Sequence, residues 1–145
     1  MLMTIQRLPD RVTVRKGGET HPLTQADGVF RDHSYSLIFQ SDSKSGGIQV
    51  TLEAHDAASY AILRWEGNFP RGTRFLSDAF ERTYGEQEWR GMVAQRMMPW
   101  YFLASTGEQG QTCGYGVQVR PNAIALWQCD PKGVTLWLDV RCGAQ

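Results

Sequence analysis

Charged and aromatic residues are concentrated in one stretch of this chain. They are Asp78, Phe80, Glu81, Arg82, Tyr84, Glu86, Glu88, Trp89 and Arg90. Flat rings can stack on the C–H face of a sugar, and carboxylates and arginines can bind hydroxyls, as in pockets that combine apolar walls with a few placed polar groups. This composition indicates a candidate carbohydrate contact. The alternative is a long loop at the edge of a β-sandwich, whose rings pack on the sheet while its charges face water.

A glycine motif at Cys113-Gly114-Tyr115-Gly116 does not indicate phosphate binding. The third glycine of a dinucleotide fingerprint is replaced by Val119, and the motif lies inside a strand pattern with no helix after it. Glycines in such a place are typical of a bulge or of a close backbone contact.

The histidines and cysteines are too scattered to predict a metal site or a nucleophilic triad. They are His21, His33, His55, Cys113, Cys129 and Cys142. An odd number of widely spaced cysteines argues against a disulfide framework, and zinc sites normally use closely spaced ligands. His55 and Asp56 are adjacent, so they cannot orient one another as a triad requires, and we predict a solvated turn there. We expect no metal and no cofactor.

Composition limits the possible partners. The 145 residues carry 15 Lys and Arg and 15 Asp and Glu, a formal net charge of zero, so the basic excess of a nucleic-acid-binding domain is absent. The first residues lack the basic and apolar regions of a signal peptide, and no apolar run reaches the roughly 18 residues of a membrane span. We therefore expect a cytoplasmic protein with neither nucleic acid nor membrane as partner.

Short alternating segments predict strands in the first half of the chain. Residues 35–40 have Tyr, Leu and Phe at alternate positions, and residues 48–53 form a clean period-two pattern with one buried face. The Ser- and Gly-rich segment 41–47 between them predicts a hairpin loop. Residues 60–65 are more uniformly apolar, which predicts a strand covered on both faces.

The last third predicts a meander of antiparallel strands. We expect strands at 98–104, 112–119, 124–129 and 134–140. Asp130-Pro131-Lys132-Gly133 has the residue order of a type I turn. Strands at this spacing are typical of a β-sandwich or barrel, and the fold class we predict is an all-β antiparallel sandwich.

The segment 77–84 leaves two local structures open. Ser77 could cap a short helix, or Asp78 and Glu81 could form a capping box, and Phe80 and Tyr84 have helical spacing. Gly85 ends this pattern after two turns, so an irregular, aromatic-rich loop is the other interpretation.

Five groups of residues together carry a family resemblance. They are 75–82, 84–89, Met98-Pro99-Trp100-Tyr101-Phe102, Gly114-Tyr115-Gly116-Val117 and Leu136-Trp137-Leu138-Asp139-Val140-Arg141. In the identity and order of its residues, this series resembles the N-terminal β-sandwich region of α-galactosidase-like enzymes of glycoside hydrolase family 36. The resemblance spans roughly residues 70–143.

The resemblance implies a supersandwich that precedes a catalytic (β/α)8 barrel in the parent enzyme. That barrel carries an aspartate nucleophile and an aspartate acid/base, whose carboxyls in a retaining mechanism lie about 5–5.5 Å apart. A barrel of this kind takes about 250 residues, so it cannot be contained in these 145 residues. We expect one sandwich domain over 1–145, truncated at its C-terminal end, with no catalytic residue and no activity alone.

The role that the resemblance implies for this chain is to support hydrolysis of terminal α-galactosides. The sandwich would pack against the barrel, shape the active-site rim and support a homo-oligomer of the full-length parent. Asp78, Arg82 and Trp89 are the residues that we expect to contact substrate. A stand-alone carbohydrate-binding module, with Trp137 as a candidate platform, is the alternative, and a structural or oligomer-forming sandwich without ligand is a third.

Overall fold

The structure is a computed structural model that describes residues 2–77, 89–106, 110–118 and 123–141. The strands of the first part are β1 (Arg11–Lys16), β2 (Glu19–Pro22), β3 (Thr24–Ala26), β4 (Val29–Arg31), β5 (Tyr35–Ser41), β6 (Ile48–Ala54) and β7 (Tyr60–Glu66). Those that follow are β8 (Arg74–Ser77), β9 (Met98–Pro99), β10 (Tyr101–Ser105), β11 (Thr112–Gly116), β12 (Ile124–Asp130) and β13 (Gly133–Asp139).

These strands form three antiparallel sheets. The six-stranded sheet has the order β2-β1-β7-β13-β12-β9, the three-stranded sheet β11-β10-β8, and the four-stranded sheet β3-β4-β5-β6. Every pairing among the described strands is antiparallel. The predicted all-β, sandwich-like fold is confirmed.

One cross-strand row shows how the six-stranded sheet builds the core. Val12, Leu63, Leu136, Trp127 and Met98 are successive partners across five strands. Each is at most 5 % exposed. Because side chains alternate between the faces of a strand, this row defines the inner face of the sheet. The core cluster also contains residues of the other two sheets.

Stacked rings join the six-stranded sheet to the three-stranded sheet. The Trp127 ring lies 6.3 Å from Trp65 and 5.6 Å from Phe102. Phe102 in turn stacks on its cross-strand partner Tyr115, with centroids 4.5 Å apart and ring planes 9° apart. Offset stacking and edge-to-face contacts of this kind stabilise a core by about 0.5–1.5 kcal/mol per pair beyond burial.

The predicted strand over 98–104 is wrong in one respect, because the chain changes sheets at Trp100. β9 pairs with β12 in the six-stranded sheet, whereas β10 pairs with β8 and β11 in the three-stranded sheet. Trp100 lies between them with φ of 67°, a left-handed conformation unusual for a bulky residue. Its carbonyl accepts hydrogen bonds from the Trp127 indole at 3.0 Å and from the Val117 amide at 3.3 Å. These contacts hold the corner.

Two predictions of burial are also corrected. β6 pairs with β5 as a hairpin, as expected, but Val50 is 36 % exposed and Ile48 and Leu52 are only half-buried. β7 buries Ala61, Leu63 and Trp65 on its inner face, while its other face is half-buried rather than covered. Both errors have one cause: the apolar pattern of a strand indicates which residues could be buried, and the elements opposite each face decide how far they are buried.

The turn between β12 and β13 lies at the residues where the sequence predicts it. Asp130 pairs with Gly133 across Pro131 and Lys132, and the Asp130 carboxylate accepts the Lys132 amide at 2.8 Å. Gly133 is required by a close approach, since a Cβ there would lie 2.1 Å from the Trp65 carbonyl oxygen. The hairpin therefore packs directly on the backbone of β7.

Several predictions fall wholly or partly outside the described residues. Ser77 ends β8 as a strand residue, and the rest of the 77–84 segment is not described. The end of the strand expected over 112–119 is also not described. No helix in the part of the chain that the structure describes is long and apolar enough to cross a membrane.

Candidate functional site

Both ends of the charged and aromatic stretch are held at one edge of the three-stranded sheet. The Phe75 amide donates to the Arg90 carbonyl at 2.7 Å, and the Arg90 amide donates to the Phe75 carbonyl at 2.9 Å. Phe75 lies in the edge strand β8 and is 2 % exposed. The chain leaves β8 after Ser77 and is paired with the same strand again at Arg90, so residues 78–88 connect two points that lie close together.

Arg96 adds a second connection at this edge. Its guanidinium donates to the Phe75 carbonyl and to the Ser77 hydroxyl, both at 3.1 Å. Burial, followed by the charge of Arg90, lowers the pKa of Arg96. A single arginine in an irregular segment gave no pattern in the sequence, so this positioning residue was missed.

Of the predicted substrate-contacting residues, the structure describes Trp89. It is 38 % exposed and immediately precedes the paired Arg90. An indole this exposed, next to a fixed backbone pair, is available for stacking on a flat apolar ligand face. Asp78 and Arg82 lie outside the described residues, so their place relative to Trp89 stays a prediction.

A second candidate surface is the outer face of the six-stranded sheet. The row next to the buried one contains Thr13, Ile62, Trp137 and Leu126, which are successive cross-strand partners. All four are half-buried. The centre of this face is therefore apolar and partly accessible, with Trp137 as its largest side chain.

Trp137 is fixed in place by neighbours on the same face. Its indole nitrogen donates to the Gln128 side-chain oxygen at 2.8 Å, and its ring meets Tyr60 edge-on at 6.0 Å. Arg141 lies over the Tyr60 ring at 5.1 Å and is paired with Asp139 at 2.7 Å. This arrangement orders the aromatic rings, and a cation covers one face of Tyr60.

A cleft of about 370 Å³ opens on the same face, and Ile62, the cross-strand partner of Trp137, lies in its wall. Its walls are Arg11, Thr13, Ile62, Arg64, Asp130 and Thr135. Arg64 donates to both carboxylate oxygens of Asp130, at 2.6 and 2.9 Å, and to the Thr135 hydroxyl at 3.0 Å. This hydrogen bonding lowers the pKa of Asp130 and raises that of Arg64. The cleft thus presents a fixed ion pair, which suits neutral polar ligands better than a charged one.

The cysteines and histidines do not converge in the described part of the chain. No group of three or more His, Cys, Asp or Glu residues there could hold a metal ion. Cys129 is 2 % exposed, and burial raises the pKa of its thiol, which disfavours the reactive thiolate. His55 and Asp56 are exposed at bends, and Asp56 pairs with Lys16 at 2.9 Å, as expected of a solvated turn.

Comparisons of the chain with protein-family models, with curated proteins and with solved structures gave no match.

Proposed function

We propose that this chain is the non-catalytic β-sandwich portion of an α-galactosidase-like glycoside hydrolase and that residues 78–89 form part of its active-site rim. The proposal begins from the sequence resemblance. In it, hydrolysis of terminal α-galactosides occurs on a neighbouring barrel domain of a cytoplasmic parent enzyme, without a cofactor from this chain.

The positions in the fold of the residues that carry the family resemblance support the proposal. Although they are dispersed in sequence, they include β9, most of β8, β11 and β13, and the first two residues of β10. Phe75, Phe102 and Tyr115, which come from three of the groups, are in ring contact: Phe75 lies 6.1 Å from Phe102, which stacks on Tyr115. A series of residues that pack on one another is what a shared sandwich scaffold would require.

The observation that carries the proposed role is the backbone pair between Phe75 and Arg90. It fixes the ends of the 78–88 segment at a sheet edge and leaves the Trp89 indole 38 % exposed. Precise placement of such groups on a rigid element is what a binding rim needs. In this role, Trp89 stacks on the apolar face of the galactose ring, while Asp78 and Arg82 bind its hydroxyls.

The test is hydrolysis of p-nitrophenyl α-galactoside by two proteins. One is this 145-residue chain, and the other is the product of the whole reading frame that encodes it. We expect the chain alone to be inactive and the whole product to release nitrophenol. A whole product without α-galactosidase activity, or a reading frame that encodes no barrel after residue 145, contradicts the proposal.

The ordered aromatic pair on the six-stranded sheet favours a second candidate, a stand-alone carbohydrate-binding module. Trp137 and Tyr60 lie on the same face as the cleft that contains the Arg64–Asp130 pair, a combination of rings and fixed polar groups that suits a saccharide. This candidate predicts that galactosides or glucans change the tryptophan fluorescence of the chain alone. Trp137→Ala should abolish that response and Trp89→Ala should preserve it, whereas the rim proposal predicts no dependence on Trp137.

A further inference from the structure

Among the described strands, β6 is the longest strand at a sheet edge, and Glu53 is its one charged residue. All seven of its residues pair with β5 in one register, and no described residue pairs with its other side. Its sequence, Ile-Gln-Val-Thr-Leu-Glu-Ala, contains no proline or lysine. Proteins usually shorten an edge strand, bulge it, cover it or place such residues in it, because its free backbone groups can pair with another chain.

The other described edges do use these devices. β3, at the opposite edge of the same sheet, has three residues, and β9 has two. β2 ends at Pro22 after four residues, and β8 is covered by the Phe75–Arg90 pair. β11 has five residues and is therefore shorter than β6. The exposed edge of β6 is thus a departure from the rest of the molecule.

The hairpin hydrogen bonds establish which backbone groups of β6 point away from β5. The Asp42 amide donates to the Gly47 carbonyl and the His55 amide to the Ser34 carbonyl, at opposite ends of the ladder. Since hydrogen-bonded and non-hydrogen-bonded pairs alternate in an antiparallel ladder, residues 49, 51 and 53 bond to β5. The backbone groups of residues 48, 50, 52 and 54 therefore face the free edge.

This pattern is self-complementary about Thr51. A two-fold axis through Thr51 places Val50 opposite Leu52 of the other copy, as a hydrogen-bonded pair, and all seven residues of each strand are then paired. The same axis places Gln49 opposite Glu53, an amide donor opposite a carboxylate rather than two like charges. Any other two-fold register shortens the overlap.

We propose that β6 pairs antiparallel with β6 of a second copy about Thr51, giving a continuous eight-stranded sheet. This contact extends the apolar strip of Ile48, Val50 and Leu52, of which Val50 is 36 % exposed, onto the same strip of the second copy. Val50 and Leu52 become neighbours across the axis, where apolar cross-strand pairs stabilise a sheet. The interface is isologous, as in most homodimers.

A cysteine pair tests the register. The two copies of Thr51 form a non-hydrogen-bonded pair with Cβ atoms about 4.5–5.5 Å apart, within the reach of a slightly adjusted disulfide. The two copies of Gln49 are separated by four residues of strand, roughly 13 Å. Under mild oxidation we expect Thr51→Cys to cross-link at least tenfold faster than Gln49→Cys, with the unsubstituted chain as the control for its native cysteines. Equal rates would overturn the register.

A charge at the edge tests the association itself. Light scattering should show the mass of the chain doubling with concentration, and Val50→Lys should keep it at the single-chain mass. Gln25→Lys, on the exposed strand β3 at the opposite edge, is the matched control, and the mass of this variant should still double with concentration. Both substituted side chains are exposed enough to keep the fold, which circular dichroism would verify. A single-chain mass at all concentrations, or equal behaviour of both variants, would refute the proposal.

Discussion

Phe75 and Arg90 exchange two backbone hydrogen bonds, at 2.7 and 2.9 Å, although fourteen residues lie between them. The pair adds a short antiparallel rung to the edge of β8. Because Phe75 is itself packed against Phe69 at 5.1 Å and against Phe102 at 6.1 Å, the rung is anchored in the core. The exposed Trp89 is thereby linked by one peptide unit to a backbone pair that is anchored in the core.

The first prediction concerns the arginine that supports this rung. Arg96→Met removes two hydrogen bonds, to the Phe75 carbonyl and the Ser77 hydroxyl. Bonds of a charged donor contribute about 1.5–3 kcal/mol, so we expect the Arg90 amide to exchange its hydrogen at least tenfold faster. Hydrogen exchange read by NMR measures this effect. Ser77→Ala, which removes one of the two bonds, should give a smaller change, and an unchanged exchange rate in Arg96→Met would contradict the role given to Arg96.

The second prediction concerns the β12–β13 turn. Gly133→Ala places a Cβ 2.1 Å from the Trp65 carbonyl oxygen, so the hairpin must move away from β7. Overpacking of this kind costs about 1–3 kcal/mol or more, and urea unfolding should show the loss. Gly18→Ala is the control, because nothing lies within 4 Å of a Cβ at Gly18. Equal stability of the two variants would be inconsistent with the close approach.

The third prediction concerns pH. The hydrogen bond from Arg64 holds the pKa of Asp130 below its ordinary value, which is about 3.9 in unfolded chains. A carboxylate of this kind stabilises the fold fully above the unfolded pKa, and the contribution is lost as pH falls through the lower folded value.

Asp130→Asn should therefore cost about 1–3 kcal/mol near neutral pH, and the difference from the unsubstituted chain should shrink below about pH 4. Denaturant unfolding across that range measures it. Asp56→Asn, which breaks a pair whose side chains are 41 % and 46 % exposed, should cost less, because solvent screens an exposed ion pair. A difference for Asp130→Asn that does not vary with pH would refute the linkage.

Local signals explain what could be predicted from the sequence. The hairpin at Asp130–Gly133 was predictable because Asp, Pro and Gly each determine backbone geometry at their own positions. The strands β5 and β13 were predictable from alternation, and β7 from a uniformly apolar run. The break at Trp100 was not, since apolar residues continue through it and the left-handed corner depends on distant groups, the Trp127 indole and the Val117 amide.

The candidate site was only partly predictable for a related reason. Composition drew attention to Trp89, but nothing local indicates that Arg90 pairs with Phe75 or that Arg96 reaches Ser77. For β6, the sequence signal was present but its prediction of burial was wrong. Its alternation predicts burial, and only the three-dimensional arrangement shows that Val50 remains 36 % exposed.

The most direct test of the rim role is the KM for p-nitrophenyl α-galactoside of the whole gene product carrying Trp89→Ala, with Trp137→Ala as the matched control. Loss of a stacking contact of about 1–2 kcal/mol corresponds to a KM about tenfold higher, with kcat changed less. If Trp89 lies in the active-site rim, we expect that increase in KM for Trp89→Ala and no increase for Trp137→Ala. An unchanged KM for Trp89→Ala, or an equal increase for both variants, would contradict it.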